Sequence, residues 1–191
     1  MTDLSLRIHI SGASGFVGKA LVSFLLKQGH QVFRLVRKKT DQSGCVFWDP
    51  DGGGEFLDDW ESMDAIIHLA GENIAQGLWT RSKKKRILES REKGTKHLVS
   101  IIQSLKKPPR IFISASAIGY YGDGDHPVLE TSPPGSGFLS QVCQKWEEAS
   151  KPLENLGIRT VHARFGLILS AKGGFLKPLL YVFRLGLGGV S

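Results

Sequence analysis

Apolar positions along the chain repeat with two periods that alternate. Leu6 to Ile10 is a short run of strand type that stops at Ser11-Gly12. From Val17 the apolar residues Val17, Ala20, Leu21, Phe24 and Leu25 fall at i, i+3, i+4, i+7 and i+8, which lines one face of a helix. Gly29, just after Gln28, predicts a helix C-cap, and Gln31 to Val36 returns to a strand pattern. Strand, helix and strand in so short a stretch make a β-α-β unit, with parallel strands and a right-handed crossover. The same alternation carries on downstream. Ala65 to Leu69 reads as a buried strand, Arg81 to Leu105 as a long helix with Ile87, Gly94, Leu98, Ile101 and Leu105 inward, and Arg110 to Ser114 as a strand after the stop at Pro108-Pro109. A turn-rich loop from Ile118 to Gly137 leads to a helix with Leu139, Val142, Cys143, Trp146 and Ala149 on one face, which Pro152 kinks or ends. Ile158 to Ala163 is the last clear strand, and Phe175 to Leu185 a final helix. Strands alternating with helices predict an α/β fold, a doubly wound parallel sheet with helices on both faces.

No boundary divides this pattern. The Gly- and Pro-rich stretches at Asp49 to Glu55 and Asp123 to Gly137 read as loops of one sheet, so residues 1–191 make one domain. Leu185 to Ser191 ends without a natural terminus, which makes truncation the expectation. Hydrophobic residues at 41% and charged residues at 23% exclude a disordered chain. No basic flank leads into an apolar stretch with a cleavage site, and no segment reaches the ~18 apolar residues of a membrane span. The expectation is a soluble, cytoplasmic protein with no membrane partner. Cys45 and Cys143 lie far apart, which suits reduced thiols, and no ligand cluster predicts a metal.

The net charge of +7 informs only through its distribution. Such a balance suits a phosphorylated cofactor, nucleic acid or an anionic membrane alike. Much of the excess falls in Arg37-Lys38-Lys39 and in Arg81 to Arg86. The second run opens the long helix and reads as a solvated face, at the wrong end of the helix dipole and poor in interleaved aromatics. Nucleic acid is therefore not the expected partner.

The first cluster gains meaning from what precedes it. Between the first strand and helix stands Gly12-Ala-Ser-Gly15-Phe-Val-Gly18, a G-x-x-G-x-x-G spacing. Glycines there permit positive φ, clear side chains from an approaching diphosphate and let the helix pack closely on the strand. The helix N-terminus adds unpaired N–H groups and the positive end of its dipole. Gly12, Ser14, Gly15, Phe16, Val17 and Gly18 are thus the candidate phosphate-binding residues of a Rossmann-type fold. At the end of the second strand an NAD site places a carboxylate for the ribose hydroxyls, but here stand Val36-Arg37-Lys38. Cations there favour a 2′-phosphate and hence NADP, with Arg37 able to fork it. The other reading is a basic turn in solvent.

With these residues assembled, the chain resembles the extended branch of the short-chain dehydrogenase/reductase superfamily. It looks most like the atypical epimerase-like subfamily, related to NAD-dependent epimerases and dehydratases, whose bacterial members were once labelled cell-division inhibitors. The matching motifs are Gly12 to Gly18, Asp64-Ala-Ile-Ile-His-Leu-Ala-Gly-Glu-Asn73, Ser90-Arg-Glu-Lys-Gly-Thr95, Ser114-Ala-Ser-Ala-Ile-Gly-Tyr-Tyr-Gly122, Trp146-Glu147 and Phe183 to Gly189. The resemblance implies an NADP cofactor, a small-molecule substrate, a homodimer as one candidate assembly, and a C-terminal substrate-binding part that this chain lacks after Ser191. It sets Leu69, Ala70 and Gly71 beside the adenosine half of the cofactor and Ile168 near the nicotinamide. Arg91, where ordinary extended members tend to carry Asn, would reach the cofactor from the long helix.

Typical members work with Ser and a Tyr-x-x-x-Lys pair one helical turn apart, the ammonium activating the phenol and binding the nicotinamide ribose. Ser116 matches the serine. Alignment through Trp146-Glu147 puts Leu139 at the tyrosine and Cys143 at the lysine, and no Tyr-x-x-x-Lys occurs in the chain. Tyr120 and Tyr121, in the loop after Ser116, are the phenols that could polarise a carbonyl; packing the loop is their alternative role. Cys143 and His68 read as core residues. Two functions stay open: an NADP-dependent oxidoreductase or epimerase-like enzyme, and a catalytically silent NADP-binding module that senses redox state or supports a partner.

Overall fold

The computed structural model describes residues 5–53, 57–125, 127–174 and 176–186. The chain opens with β1 (Arg7–Ser11), α1 (Phe16–Lys27), β2 (Gln31–Val36) and a short β3 (Cys45–Phe47). It continues through β4 (Ala65–His68), α2 (Arg81–Ser104), β5 (Ile111–Ala117), α3 (Phe138–Glu148) and β6 (Arg159–Phe165). A two-stranded hairpin, β7 (Leu169–Ser170) with β8 (Gly173–Gly174), precedes α4 (Leu176–Arg184). The six main strands form one parallel sheet in the order β3-β2-β1-β4-β5-β6. Strand order therefore reverses between β1 and β4, and loops leaving their carboxyl ends diverge into a crevice.

Alternation along each strand decides which helix covers which face. Ile8, Ile10, Ala65 and Ile67 bury one face under Leu21, Val22 and Leu25 of α1. Ile66 and Phe112 point the other way, into a larger cluster with Leu98, Val99, Ile101 and Ile102 of α2. Helix α3 lies beside α2 on that second face. The Rossmann-type sheet read from the sequence is the one observed.

Departures concern length and local punctuation. Strand β3 has no counterpart in the sequence reading, because three residues carry too little periodicity to see; it forms by pairing with β2, Arg34 against Cys45 and Val36 against Phe47. Strand β5 runs on to Ala117 instead of stopping at Ser114, since it pairs along its whole length with β6, ending at Ala117 against Phe165. The small residues Ser-Ala-Ser-Ala hid that extension, which brings Ser116 to a strand end. Pro152 does not kink α3 but sits in the first turn of a separate 3-10 segment, Lys151–Leu156. Phe175, where the last helix was expected to start, and Leu187 to Gly189 of the Phe183 motif lie outside the described residues. Among the described residues, no helix is long and apolar enough to cross a membrane.

Candidate functional site

The turn after β1 is built by its glycines for three separate reasons. Gly12 holds φ +70, and a Cβ there would stand 2.7 Å from the Leu69 carbonyl carbon and 2.8 Å from the Ala70 nitrogen. Gly18 has no room either: its Cβ would strike the Gly12 carbonyl oxygen and come within 2.8 Å of the Ala13 Cα. Gly15 differs, since its Cβ would meet only the Gly12 oxygen, at 3.1 Å. It is the N-cap of α1, makes no side-chain cap, and is followed by no acidic residue in the first turn. The first amides of that helix are consequently left for an outside acceptor, with the positive end of the dipole behind them.

In front of this turn opens a cavity of about 1020 Å³. Gly12, Ser14 and Gly15 line its middle, Val36, Arg37 and Lys38 one end, and Leu69, Ala70 and Gly71 the other. These nine candidates are thus brought together. Phe16, Val17 and Gly18 do not line it: Gly18 is buried between helix and strand, and Phe16 turns its ring against Gly173 of the β7–β8 hairpin. Ile168, in the loop before that hairpin, is also outside the lining, its carbonyl directed at Gly174. Residues the sequence reading missed include Lys19, Arg34, Gln42, Cys45 and Trp48. A charge in the mostly apolar β2 was the visible signal for Arg34; Lys19 needed α1 to be seated, and Gln42, Cys45 and Trp48 needed β3 to be known.

A buried polar relay fixes the β4 end of the cavity. Ser11 Oγ accepts the N–H groups of Leu69 and Ala70 at 3.2 and 3.3 Å, and pairs with His68 Nδ1 at 2.6 Å. With both N–H groups donating to it, the serine hydroxyl gives its own proton to Nδ1, so the imidazole proton resides on Nε2. Burial, reinforced by the Arg91 charge, lowers the His68 pKa to about 3 and keeps the ring neutral. The core role expected of His68 is therefore only half satisfied, because its buried Nε2 has no hydrogen-bond partner and faces an aromatic surround that includes Trp48 and Trp146.

Next to it, the basic run at the start of α2 is not simply a solvated face. Lys83 is buried and its Nζ lies 2.7 Å from Glu72 Oε1, a cavity-lining carboxylate, with Arg86 Nε at 3.7 Å. Four-residue spacing along α2 turns Lys83 inward with Ile87 while its neighbours face water. Arg91, one turn beyond Ile87, donates through Nη1 to the carbonyls of Ile87 at 3.0 Å and Glu72 at 3.2 Å. It does not line the cavity itself but backs Gly71.

Ser116 lies elsewhere, at the carboxyl end of β5 opposite Arg164 of β6. Its hydroxyl donates to Glu147 Oε1 at 2.6 Å. Arg164 clamps the same carboxylate with Nε at 2.9 Å and Nη2 at 2.8 Å, and gives Nη1 to the Tyr121 hydroxyl at 2.7 Å. The guanidinium carbon stands 3.6 Å from the centre of the Tyr120 ring. Burial pushes the Glu147 carboxyl up, but hydrogen bonds from Arg164 and Ser116 and the guanidinium charge together bring it below its ordinary value. Burial raises the Cys143 thiol, which keeps it a neutral, packed group. Leu139, Cys143 and Glu147 succeed one another every four residues, so one face of α3 carries all three.

Comparison with known proteins places the chain. The model of the NAD dependent epimerase/dehydratase family matches residues 8–143. An epimerase family protein of Mycobacterium tuberculosis is 37% identical over 182 residues, 95% of this chain and 60% of that protein. The chain belongs to the NAD dependent epimerase/dehydratase family. A Corynebacterium glutamicum nucleoside-diphosphate sugar epimerase structure superposes with TM-score 0.83 at 37% identity, covering 98% of this chain and 39% of that one. The human epimerase family protein SDR39U1, solved with NADPH, gives TM-score 0.82 at 32% identity over 96% of this chain and 61% of that one. This member of the epimerase/dehydratase family spans about three-fifths of the length of the curated relatives it matches. Within the family frame the retained serine is tied to a Glu–Arg ion pair that the sequence reading did not single out, though Glu147 stood in one of its motifs.

Proposed function

We propose that the chain is the nucleotide-binding part of an NADPH-dependent, epimerase-like oxidoreductase. One observation carries the reading: the cavity ends at β2 in Arg34, Arg37 and Lys38, while its lining carboxylate, Glu72, stands at the other end and is bound to Lys83. Among the described lining residues a 2′-phosphate meets cations there and no acid, whereas the ribose hydroxyls of NADH would find no carboxylate. The residues fit the cofactor, since Gly12, Ser14 and Gly15 line the cavity and the first α1 amides, which no side chain caps, stand beside them. That the human relative was solved with NADPH supports the choice.

Bound NADPH supplies a hydride. The chain's own contribution at the β5 end is polarity. Ser116 uses its hydroxyl hydrogen in the bond it donates to Glu147 and is left to accept, which suits a substrate hydroxyl better than a carbonyl. Tyr121 accepts from Arg164 and keeps its own proton to donate, so it, with Tyr120 stacked beside the same guanidinium, is the side of the site that can polarise a carbonyl. In titration calorimetry, NADPH should bind at least about tenfold more tightly than NADH, and Arg37→Asp should erase or invert that ratio. Equal affinities for the two nucleotides would refute the 2′-phosphate reading.

A second reading is favoured by the α3 face: Leu139 and Cys143 offer no proton relay where typical members keep one. The protein would then bind NADPH without turning it over. A carbonyl-substrate screen on the full-length protein separates the two, since Ser116→Ala and Tyr121→Phe should abolish turnover only if there is turnover to lose.

A further inference from the structure

The start of α2 carries a cost that the nucleotide site does not explain. Five cations fall in Arg81 to Arg86 and the first turn holds no acid, although the positive end of a helix dipole disfavours that arrangement. Lys83 turns in to Glu72, but Arg81, Lys84, Lys85 and Arg86 are exposed. Their ties to protein are loose: Lys85 reaches Glu89 only at 4.0 Å, and Arg86 reaches Glu72 at 3.7 Å. From Ile74 to Leu88 the sequence has no Asp or Glu. The loop that leads into this helix gives apolar groups to the same water. Leu78 is 86% exposed, and Ile74 and Trp79 are each 40% exposed. The loop is nevertheless tied down. Trp79 Nε1 donates to the Ile74 carbonyl at 2.9 Å, and its ring meets Phe138 edge-on with 5.9 Å between centroids. Thr80 caps α2 by accepting from the Lys83 N–H at 3.2 Å, and Gly77 makes the turn at φ +75. Leu78, between that turn and the tethered Trp79, is thereby held out at the head of the cationic helix.

An outward aliphatic tip, an indole beside it and a cluster of uncancelled cations match one kind of surface, an anionic lipid bilayer. There the cations meet lipid phosphates, the indole sits at headgroup depth and the leucine passes into the acyl region. Nucleic acid matches less well, because the Trp79 ring and N–H are already engaged by Phe138 and Ile74, and a leucine gains nothing from phosphate. The expectation of no membrane partner rested on spanning segments, and the lack of a spanning helix among the described residues leaves attachment to one leaflet open. We propose that residues 74–86 form a peripheral docking surface for an anionic bilayer, with Leu78 and Trp79 entering the interface and Arg81, Lys84, Lys85 and Arg86 facing the headgroups.

In the full-length protein, binding to vesicles of phosphatidylcholine with about one-third phosphatidylglycerol should exceed binding to pure phosphatidylcholine at least about tenfold by co-sedimentation, and high salt should remove the difference. Leu78→Asp, and Arg81→Glu combined with Lys84→Glu, should each weaken binding at least about tenfold. Melting and NADPH affinity should stay at wild-type values in these variants, since all three side chains are exposed. Trp79 reports insertion directly, because Trp48, Trp60 and Trp146 are buried: the emission that Trp79→Phe removes should shift to the blue on adding anionic vesicles. The proposal falls if anionic vesicles do not sediment the protein, or if Leu78→Asp binds them as the wild type does. It falls equally if Trp79 already emits as a buried indole without lipid, which would mean that the full-length chain covers this loop itself. Tight binding of a DNA oligonucleotide that anionic vesicles do not displace would assign the cations to nucleic acid and overturn it too. None of these outcomes touches the cofactor reading, on which the inference does not rest.

Discussion

Gly18→Val is expected to lower stability by about 3 kcal/mol or more, which for a chain of this size moves the melting temperature down by roughly 10 °C. The new side chain has backbone on two sides, the Gly12 carbonyl and the Ala13 Cα at 2.8 Å, and neither yields like a flexible side chain. Relief comes only by lifting α1 from β1, which uncovers Ile8 and Ile10 beneath Leu21, Val22 and Leu25. Gly15→Val makes the informative contrast. Its Cβ meets a single atom at 3.1 Å, so the fold should hold within about 1 kcal/mol, while the valine stands in front of the α1 amides and removes NADPH binding. Thermal melts read beside calorimetry separate the packing glycine from the ligand glycine. A Gly18→Val protein that melts with the wild type would show that α1 does not seat as closely as described.

Glu147→Leu should destabilise the protein by about 3 kcal/mol, because it strands Arg164. The two side chains are only 11% and 18% exposed, so water does little to replace the lost carboxylate. Truncating both, as Glu147→Leu with Arg164→Met, should recover most of the loss, since the penalty belongs to the unpaired charge more than to the missing attraction. Acidity tests the same pair. The Glu147 carboxyl titrates below its ordinary 4.5 in the folded protein, so its contribution is complete above about pH 4.5 and drains away as pH falls through the folded value. Urea midpoints from pH 7 down to pH 3 should show that acid limb in the wild type, diminished in the double variant. An unchanged limb would assign acid sensitivity to other carboxylates.

Both predictions concern residues that differ in how visible they are beforehand. Gly18 belongs to a spacing of three glycines between a strand and a helix, and that pattern is local; it announces the close helix–strand contact without any knowledge of the rest of the chain. Glu147 and Arg164 are separated by an element boundary, and nothing in either neighbourhood says that they meet. The same division runs through the cavity. Arg37 and Lys38 follow β2, which pairs with the strand that leads into the phosphate turn, so their place follows from the β-α-β unit. Lys19 and Trp48 enter only once α1 is seated and β3 is paired.

What the sequence determined by itself is the α/β alternation, the parallel Rossmann-type sheet, the phosphate turn and the absence of a Tyr-x-x-x-Lys pair, because periods of 2 and 3.6 and short motifs are properties of neighbouring residues. Only the tertiary structure decided that Ser116 donates a hydrogen bond to Glu147, that Lys83 turns inward to Glu72, and that Arg91 lies beside Gly71. Those facts depend on which strands pair and which helices touch, and on whether a buried charge finds a partner across the fold, which no local pattern encodes.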